Sequence, residues 1–352
     1  MANVVFHIGA HKTGTTYLQS LFHLNRDRLA EDGIHYPYIG PNTAHHVLAA
    51  VWQTMPDVPK AFFKANTPED LWQDLIERYA DAPGTLFLSA ENFSRFYPEP
   101  VDMAALAERL SSFEDVKIVY TMRAQAELIQ SLWLQLAKSG HPQAIYAYVR
   151  KALEQRRSFG IRIDHNAIYD TLLQGFAPSQ IHLLDYDHIR RAPGGIGGSF
   201  LSLLGSSLTV DMLDAPPPDE ANISPDPLAY WVACQIVRHG LPPAHLVHAA
   251  TDILSTQGVP TSLLARHEYA KFSTRYAPAN ALLAERVQEW QPGFTFQEPG
   301  IPDDLLYREE ISQMQWIDLA AAAYALDGTA TASPERGSRI HKTLKWFKSN
   351  GT

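Results

Sequence analysis

Val4-Val5-Phe6-His7-Ile8-Gly9-Ala10-His11-Lys12-Thr13-Gly14-Thr15-Thr16-Tyr17-Leu18 stands at the head of the chain and decides its fold. Residues 4–8 are β-branched or aromatic apart from one histidine, the composition of a buried strand. A loop with two glycines follows, and then apolar residues at Leu18, Leu21 and Phe22 keep the spacing of one helical face. Strand, glycine loop and helix make a cradle for an anion. Backbone N–H groups of the loop and of the first helical turn converge on one spot, and the helix dipole favours negative charge there. Gly9 and Gly14 are expected to let the backbone turn tightly and approach a ligand.

The spacing invites comparison with the phosphate loop G-x-x-x-x-G-K-[ST]. Gly9 and Gly14 match its glycines, and Thr16 matches the hydroxyl that binds Mg²⁺. Thr15, however, takes the place of the lysine, and the lysine has moved into the loop as Lys12. A lysine after the second glycine spans the β- and γ-phosphates of a nucleoside triphosphate. Lys12 is expected on the outer side of the loop, beside a group leaving a terminal phosphate. A plain glycine turn with no ligand is the alternative, and two glycines, a lysine and three threonines in one turn weigh against it.

Composition sets the outer bounds. At 352 residues, with 45% hydrophobic and 19% charged residues, the chain has the make-up of a globular protein able to bury a full core. A net charge of -9 argues against general nucleic-acid binding, although a local basic pocket for a small anion remains compatible with it. The single cysteine, Cys234, allows no intramolecular disulfide and no thiolate-rich metal site. No leader-like or membrane-spanning apolar run is read, so a cytoplasmic protein is expected.

Downstream, a helix is predicted from a cap at Asn42 or Thr43, and others over 68–79, 103–110, 144–156, 168–176, 228–238, 245–254 and 279–290. Strands are predicted over 85–89, 116–121 and 180–186, and a helix start over 198–204. Strands alternating with helices indicate an α/β fold, P-loop-like and three-layered, with a central parallel sheet and a helical C-terminal part. In such sheets the ligand lies beyond the C-terminal strand ends. Lys12, Glu91 and Arg123 all fall at such ends. Residues 214–226, rich in proline and acid, read as a linker or surface loop.

The run His11-Lys12-Thr13-Gly14-Thr15-Thr16-Tyr17-Leu18-Gln19 resembles the 5′-phosphosulfate loop of sulfotransferases that use 3′-phosphoadenosine 5′-phosphosulfate (PAPS). Arg123 at a strand end, followed by Ser131 on the next helix, looks like the 3′-phosphate element of the same family. An arginine fork suits phosphate oxygens. The resemblance, closest to bacterial and carbohydrate-type members, implies PAPS as cosubstrate without a metal. It implies His11, Lys12, Thr13, Gly14, Thr15, Thr16, Arg123 and Ser131 as donor-binding residues. Residues 1–213 are then the PAPS-binding core, 227–330 a helical part completing the fold, and 331–352 a basic tail. The segment 272–280 is similar to a late loop and helix start of carbohydrate sulfotransferases; the Arg-Lys-Gly motif of the cytosolic small-molecule branch is absent, and Arg275 is a candidate for the third 3′-phosphate contact.

Sulfuryl transfer to a hydroxyl or amine asks for a cation at the leaving oxygen and a base at the acceptor. Lys12 is placed for the first. For the second there are two candidates, His46 in Asn42-Thr43-Ala44-His45-His46 and Glu91 in Leu88-Ser89-Ala90-Glu91-Asn92, with His46 preferred as base and Glu91 as its partner. A helix-cap histidine and a structural acid are the plain alternatives. The family likeness suggests a carbohydrate or other small-molecule acceptor, and Trp52, Trp72 and Tyr97 are candidates for stacking on sugar rings. The tail over 336–348 has Ile340, Leu344 and Phe347 at helical spacing among basic residues. It is either a solvated helix or a contact to an anionic membrane surface. The rival readings are a P-loop kinase or NTPase, and a binding protein that kept the cradle without turnover.

Overall fold

In the computed structural model, which describes residues 1–97, 99–217, 224–255, 258–297 and 299–327, the first strand, β1, is Asn3–His7. β2 is Ile34–His35, β3 is Thr85–Ser89 and β4 is Val116–Met122. With a fifth strand at Ile181–Asp185 they form one sheet in the order β2-β3-β1-β4-fifth. Every pairing is parallel. β1 lies in the middle, and Val5 stands level with Phe87 on one side and Lys117 on the other.

Successive side chains of a strand point to opposite faces, so each strand feeds two cores. Val4 and Phe6 join Leu86, Leu88, Ile118 and Tyr120 on one face. Val5, Phe87 and Val119 pack on the other against Leu18, Leu21 and Phe22 of the first helix, α1 (Thr15–Leu24). Burial on both faces explains why these strands read as nearly continuous apolar runs.

The chain divides into two units. The first, Met1–Ala124, Phe159–Ile223 and Ala279–Gln297, carries the whole sheet. The second is Gln125–Ser158, Ser224–Pro278 and Glu298–Thr352, the last described to residue 327. Among its helices are Gln125–Lys138, Ile145–Gln155, Pro227–Val237, Ala244–Leu254 and Gln313–Asp327. A buried pair, Arg308 Nη2 and Glu268 Oε2 at 2.9 Å, sits in this unit, and Arg308 Nη1 also donates to the Leu263 carbonyl at 2.8 Å.

Local chemistry accounts for the element boundaries. Helix Pro68–Tyr79 begins where Thr67 and Asp70 form a reciprocal capping box and proline fills the first turn. Helix Met103–Leu110 begins where the Asp102 carboxylate accepts from the backbone of Ala104 and Ala105.

Two expectations are corrected. The helix predicted from Asn42 is a 3₁₀ turn, His46–Val51. His45 is drawn away from a helix because its backbone N–H donates to Ser89 O and its Nδ1 accepts from Ser89 N, both at 3.0 Å. The segment 272–280 is not a loop and helix start. It lies within one helix, Arg266–Arg286, that includes Pro278. Buried Tyr269, Phe272 and Tyr276, spaced three and four apart, outweigh the one backbone bond that the proline removes. The tail 331–352 lies outside the described residues, as does part of 214–226.

Candidate active site

Beyond β1 the chain still follows β4, with Ile8 N donating to Val119 O at 2.9 Å and Ala10 N to Thr121 O at 2.8 Å. It then leaves the sheet in a turn closed by Thr13 Oγ1 donating to Ala10 O at 2.6 Å. Two residues of this turn take left-handed backbone angles, Lys12 with φ 70° and Gly14 with φ 72°. Glycine suits the left-handed φ at position 14, and a β-carbon there would also come within 2.4 Å of Ile196 Cδ1, which would have to shift. α1 starts at the next residue with no side-chain cap and no acid in its first turn. Its first N–H groups therefore remain available to an anion.

Gly9 has a different reason to be glycine. Its φ is not positive, but a β-carbon there would fall 2.2 Å from His7 Nε2. The His7 ring cannot withdraw, because Nδ1 is bonded to Ser89 Oγ and Nε2 to Thr121 Oγ1, both at 3.1 Å. Gly9 makes room for a strand-clamping histidine rather than for close approach of a ligand.

Arg123, at the end of β4, donates from Nη1 to the Lys12 carbonyl at 3.0 Å and stacks on Tyr186 with its guanidinium carbon 5.2 Å from the ring centre. The backbone of Arg123 is held in turn by His165, whose Nε2 donates to Arg123 O at 2.9 Å. That bond leaves Nδ1 of His165 as the acceptor for the Tyr120 hydroxyl at 3.0 Å.

At the end of β3, His46 Nε2 and Glu91 Oε2 are 3.6 Å apart, within ion-pair reach though beyond a hydrogen bond. Gln19 Nε2 donates to Glu91 Oε2 at 3.0 Å and to Ser89 Oγ at 3.2 Å. Burial pushes the Glu91 carboxyl up, but His46, His11, its own backbone N–H and Gln19 together outweigh burial and hold it down at about 2. His11 feels Glu91, Arg95, His46 and Lys12, so the loop and the His46–Glu91 pair belong to one electrostatic neighbourhood. Burial, the largest influence, pushes the His11 imidazole down to about 3. His11 Nε2 and His46 Nδ1 are buried with no hydrogen-bond partner among the described residues. Each forfeits a hydrogen bond until a ligand supplies one.

The family model for the "Sulfotransferase domain" matches residues 3–215, more than half of the chain. The chain belongs to the sulfotransferase family. Among solved structures, a sulfotransferase from Alicyclobacillus acidocaldarius is 18% identical, with 67% of this chain and 96% of that one covered and a TM-score of 0.39. The sulfotransferase domain from the curacin biosynthetic pathway is 15% identical over 73% and 91%, with a TM-score of 0.34. Mouse sulfotransferase SULT7A1 complexed with PAP is 11% identical over 82% and 87%, with a TM-score of 0.38. No curated protein matches.

In this sulfotransferase the first unit brings together His11, Lys12, Thr13, Gly14, Thr15, Thr16, His46, Glu91 and Arg123. Thr13 and Thr15 are buried, Thr16 is exposed, and His11, Lys12 and Arg123 are half-buried. Ser131 lies in the second unit, half-buried on helix Gln125–Lys138, and Arg275 is exposed in that unit. Trp72 is a core residue whose Nε1 donates to Leu48 O at 2.9 Å, while Trp52 is half-buried and Tyr97 exposed. Gln19, His165 and Tyr186 escaped sequence reasoning. Gln19 stands inside the loop-helix run, but only the fold carries it to Glu91, 72 residues away. No group of three or more metal-ligating side chains is present among the described residues, and none of their helices is long and apolar enough to cross a membrane.

Proposed function

We propose that this sulfotransferase moves a sulfuryl group from PAPS to a hydroxyl or amine of a carbohydrate or glycoconjugate acceptor. The observation that carries the reading is the His46–Glu91 pair in one electrostatic neighbourhood with the Lys12 loop, ahead of an uncapped helix start. PAPS, when bound, supplies the sulfuryl group and its phosphate leaving group. The first-turn N–H groups of α1, with Thr13, Gly14, Thr15 and Thr16, hold the 5′-phosphate, and His11 contributes its unpartnered Nε2. Lys12 neutralises charge on the bridging oxygen. Arg123 holds the 3′-phosphate and also pins the Lys12 carbonyl. His46, with Nε2–H turned to Glu91, accepts the acceptor's proton at Nδ1, and Glu91 stabilises the imidazolium that results.

In this reading residues 1–213 are the donor-binding core, 227–330 complete the fold, no metal takes part, and the protein works in the cytoplasm. The strand–loop–helix and the Thr16 hydroxyl position also suit a P-loop kinase. Calorimetric titration with adenosine 3′,5′-bisphosphate, beside ATP with Mg²⁺, separates the two. Micromolar binding of the bisphosphate is expected, weakened roughly tenfold or more by Lys12→Ala and by Arg123→Ala. Preference for Mg-ATP, or indifference to the 3′-phosphate, gives the kinase first place.

A further inference from the structure

The first unit contains a cavity of about 30 Å³ between the segment following β3 and the helix His165–Leu172. Apolar side chains such as Phe93, Val101 and Leu172 line it together with two arginines, Arg95 and Arg162, and no carboxylate is among the described lining residues. Arg95 Nη2 donates to the Phe159 carbonyl at 3.3 Å, and its charge faces Glu91 and Asp57. Arg162 lies over the Phe96 ring at 4.8 Å and makes no ion pair among the described residues. Arg162 is half-buried, and a guanidinium held against an aromatic ring at an apolar cavity gains a charge-assisted hydrogen bond when an anion arrives.

The dimensions narrow the anion. A single water needs roughly 10–15 Å³ of such space, so the cavity holds about the three heavy atoms of a carboxylate and not a sugar ring. Its wall is also tied to the active site. Ser94, which lines the cavity, donates from Oγ to Gly9 O at 3.3 Å and to Glu91 O at 2.9 Å.

We propose that this cavity seats a carboxylate of the acceptor, so that the enzyme selects acidic acceptors. The inference rests on the sulfuryl-transfer reading for its meaning. Arg162 is the group that reads the charge, with Arg95 at its side, while the acceptor's hydroxyl is turned toward His46.

The test compares two probes that differ only in the acid group, p-nitrophenyl β-D-glucuronide and p-nitrophenyl β-D-glucoside, titrated into the full chain without donor. The glucuronide is expected to bind at least about tenfold more tightly, the scale of one charge-assisted contact. Arg162→Gln removes that preference while changing affinity for adenosine 3′,5′-bisphosphate by less than about twofold, which also reports that the variant is folded. Arg162→Lys retains part of the preference. Equal binding of the two probes, binding of neither, or a preference that survives in Arg162→Gln overturns the proposal. An Arg162-dependent preference in a protein that ignores the bisphosphate leaves this inference standing and overturns the donor assignment instead.

Discussion

Glu91 shows how one side chain can be placed by competing forces. Burial alone would neutralise it, yet its neighbours hold it ionised, with a pKa of about 2. It is therefore a carboxylate throughout the range in which an enzyme works, and its own protonation sets no limb of a pH–rate profile there. His46, beside it at 3.6 Å, carries the proton transfer in the proposed mechanism. Glu91→Gln is accordingly expected to lower kcat while retaining part of the activity, and His46→Gln to lower it by about 10²- to 10⁴-fold. Steady-state kcat of the two variants checks this, and a larger loss in Glu91→Gln than in His46→Gln would make Glu91 the base. Both candidates, and the preferred division with His46 as base and Glu91 as its partner, were read from the sequence; that the two side chains stand 3.6 Å apart across 45 residues of chain was not.

At the scale of the element, β1 and its loop join two requirements that look alike in sequence. Both glycines fit a ligand cradle, yet only Gly14 has the left-handed φ, and Gly9 yields space to His7. Gly9→Ala is expected to destabilise the fold by about 1–3 kcal/mol, the range for an overpacked core site. His7→Ala removes the obstructing ring together with its bonds to Ser89 and Thr121. The double variant should be less destabilised than the sum of the two, and urea unfolding of the four proteins measures the coupling. Full additivity would mean that Gly9 answers to something other than the ring. The same dependence on distant partners explains the two misread elements. His45 exchanges backbone and ring bonds with Ser89 instead of starting a helix, and buried aromatic residues carry a helix through Pro278.

For the whole molecule, buried histidines dominate the response to acid. Burial is the leading cause that lowers His7, His45 and His165 from 6.5 to about 4, with half-buried His182 pushed to a similar value. Below 6.5 the unfolded chain binds protons that the folded one refuses, so stability falls as pH drops from about 6.5 to about 4. Each such group contributes about 1.4 kcal/mol per pH unit within that window. Glu91 acts at lower pH, since its depressed pKa stabilises the fold above about 4.5 and that share is lost as pH falls toward 2. Thermal unfolding followed from pH 8 to pH 4 should show a steep loss beginning near 6.5, and substitution of His182 by Gln should soften it. The sequence by itself determined the α/β class, the parallel sheet, the anion loop and the catalytic candidates, because strand composition, helix spacing and glycine placement are local properties of the chain. Only the tertiary structure decided that Arg123 clasps the Lys12 carbonyl, that Gln19 steadies Glu91, and that Arg95 and Arg162 share one cavity. Hydrogen bonds and charge pairing act over a few ångströms, and it is folding that brings residues dozens of positions apart within that reach.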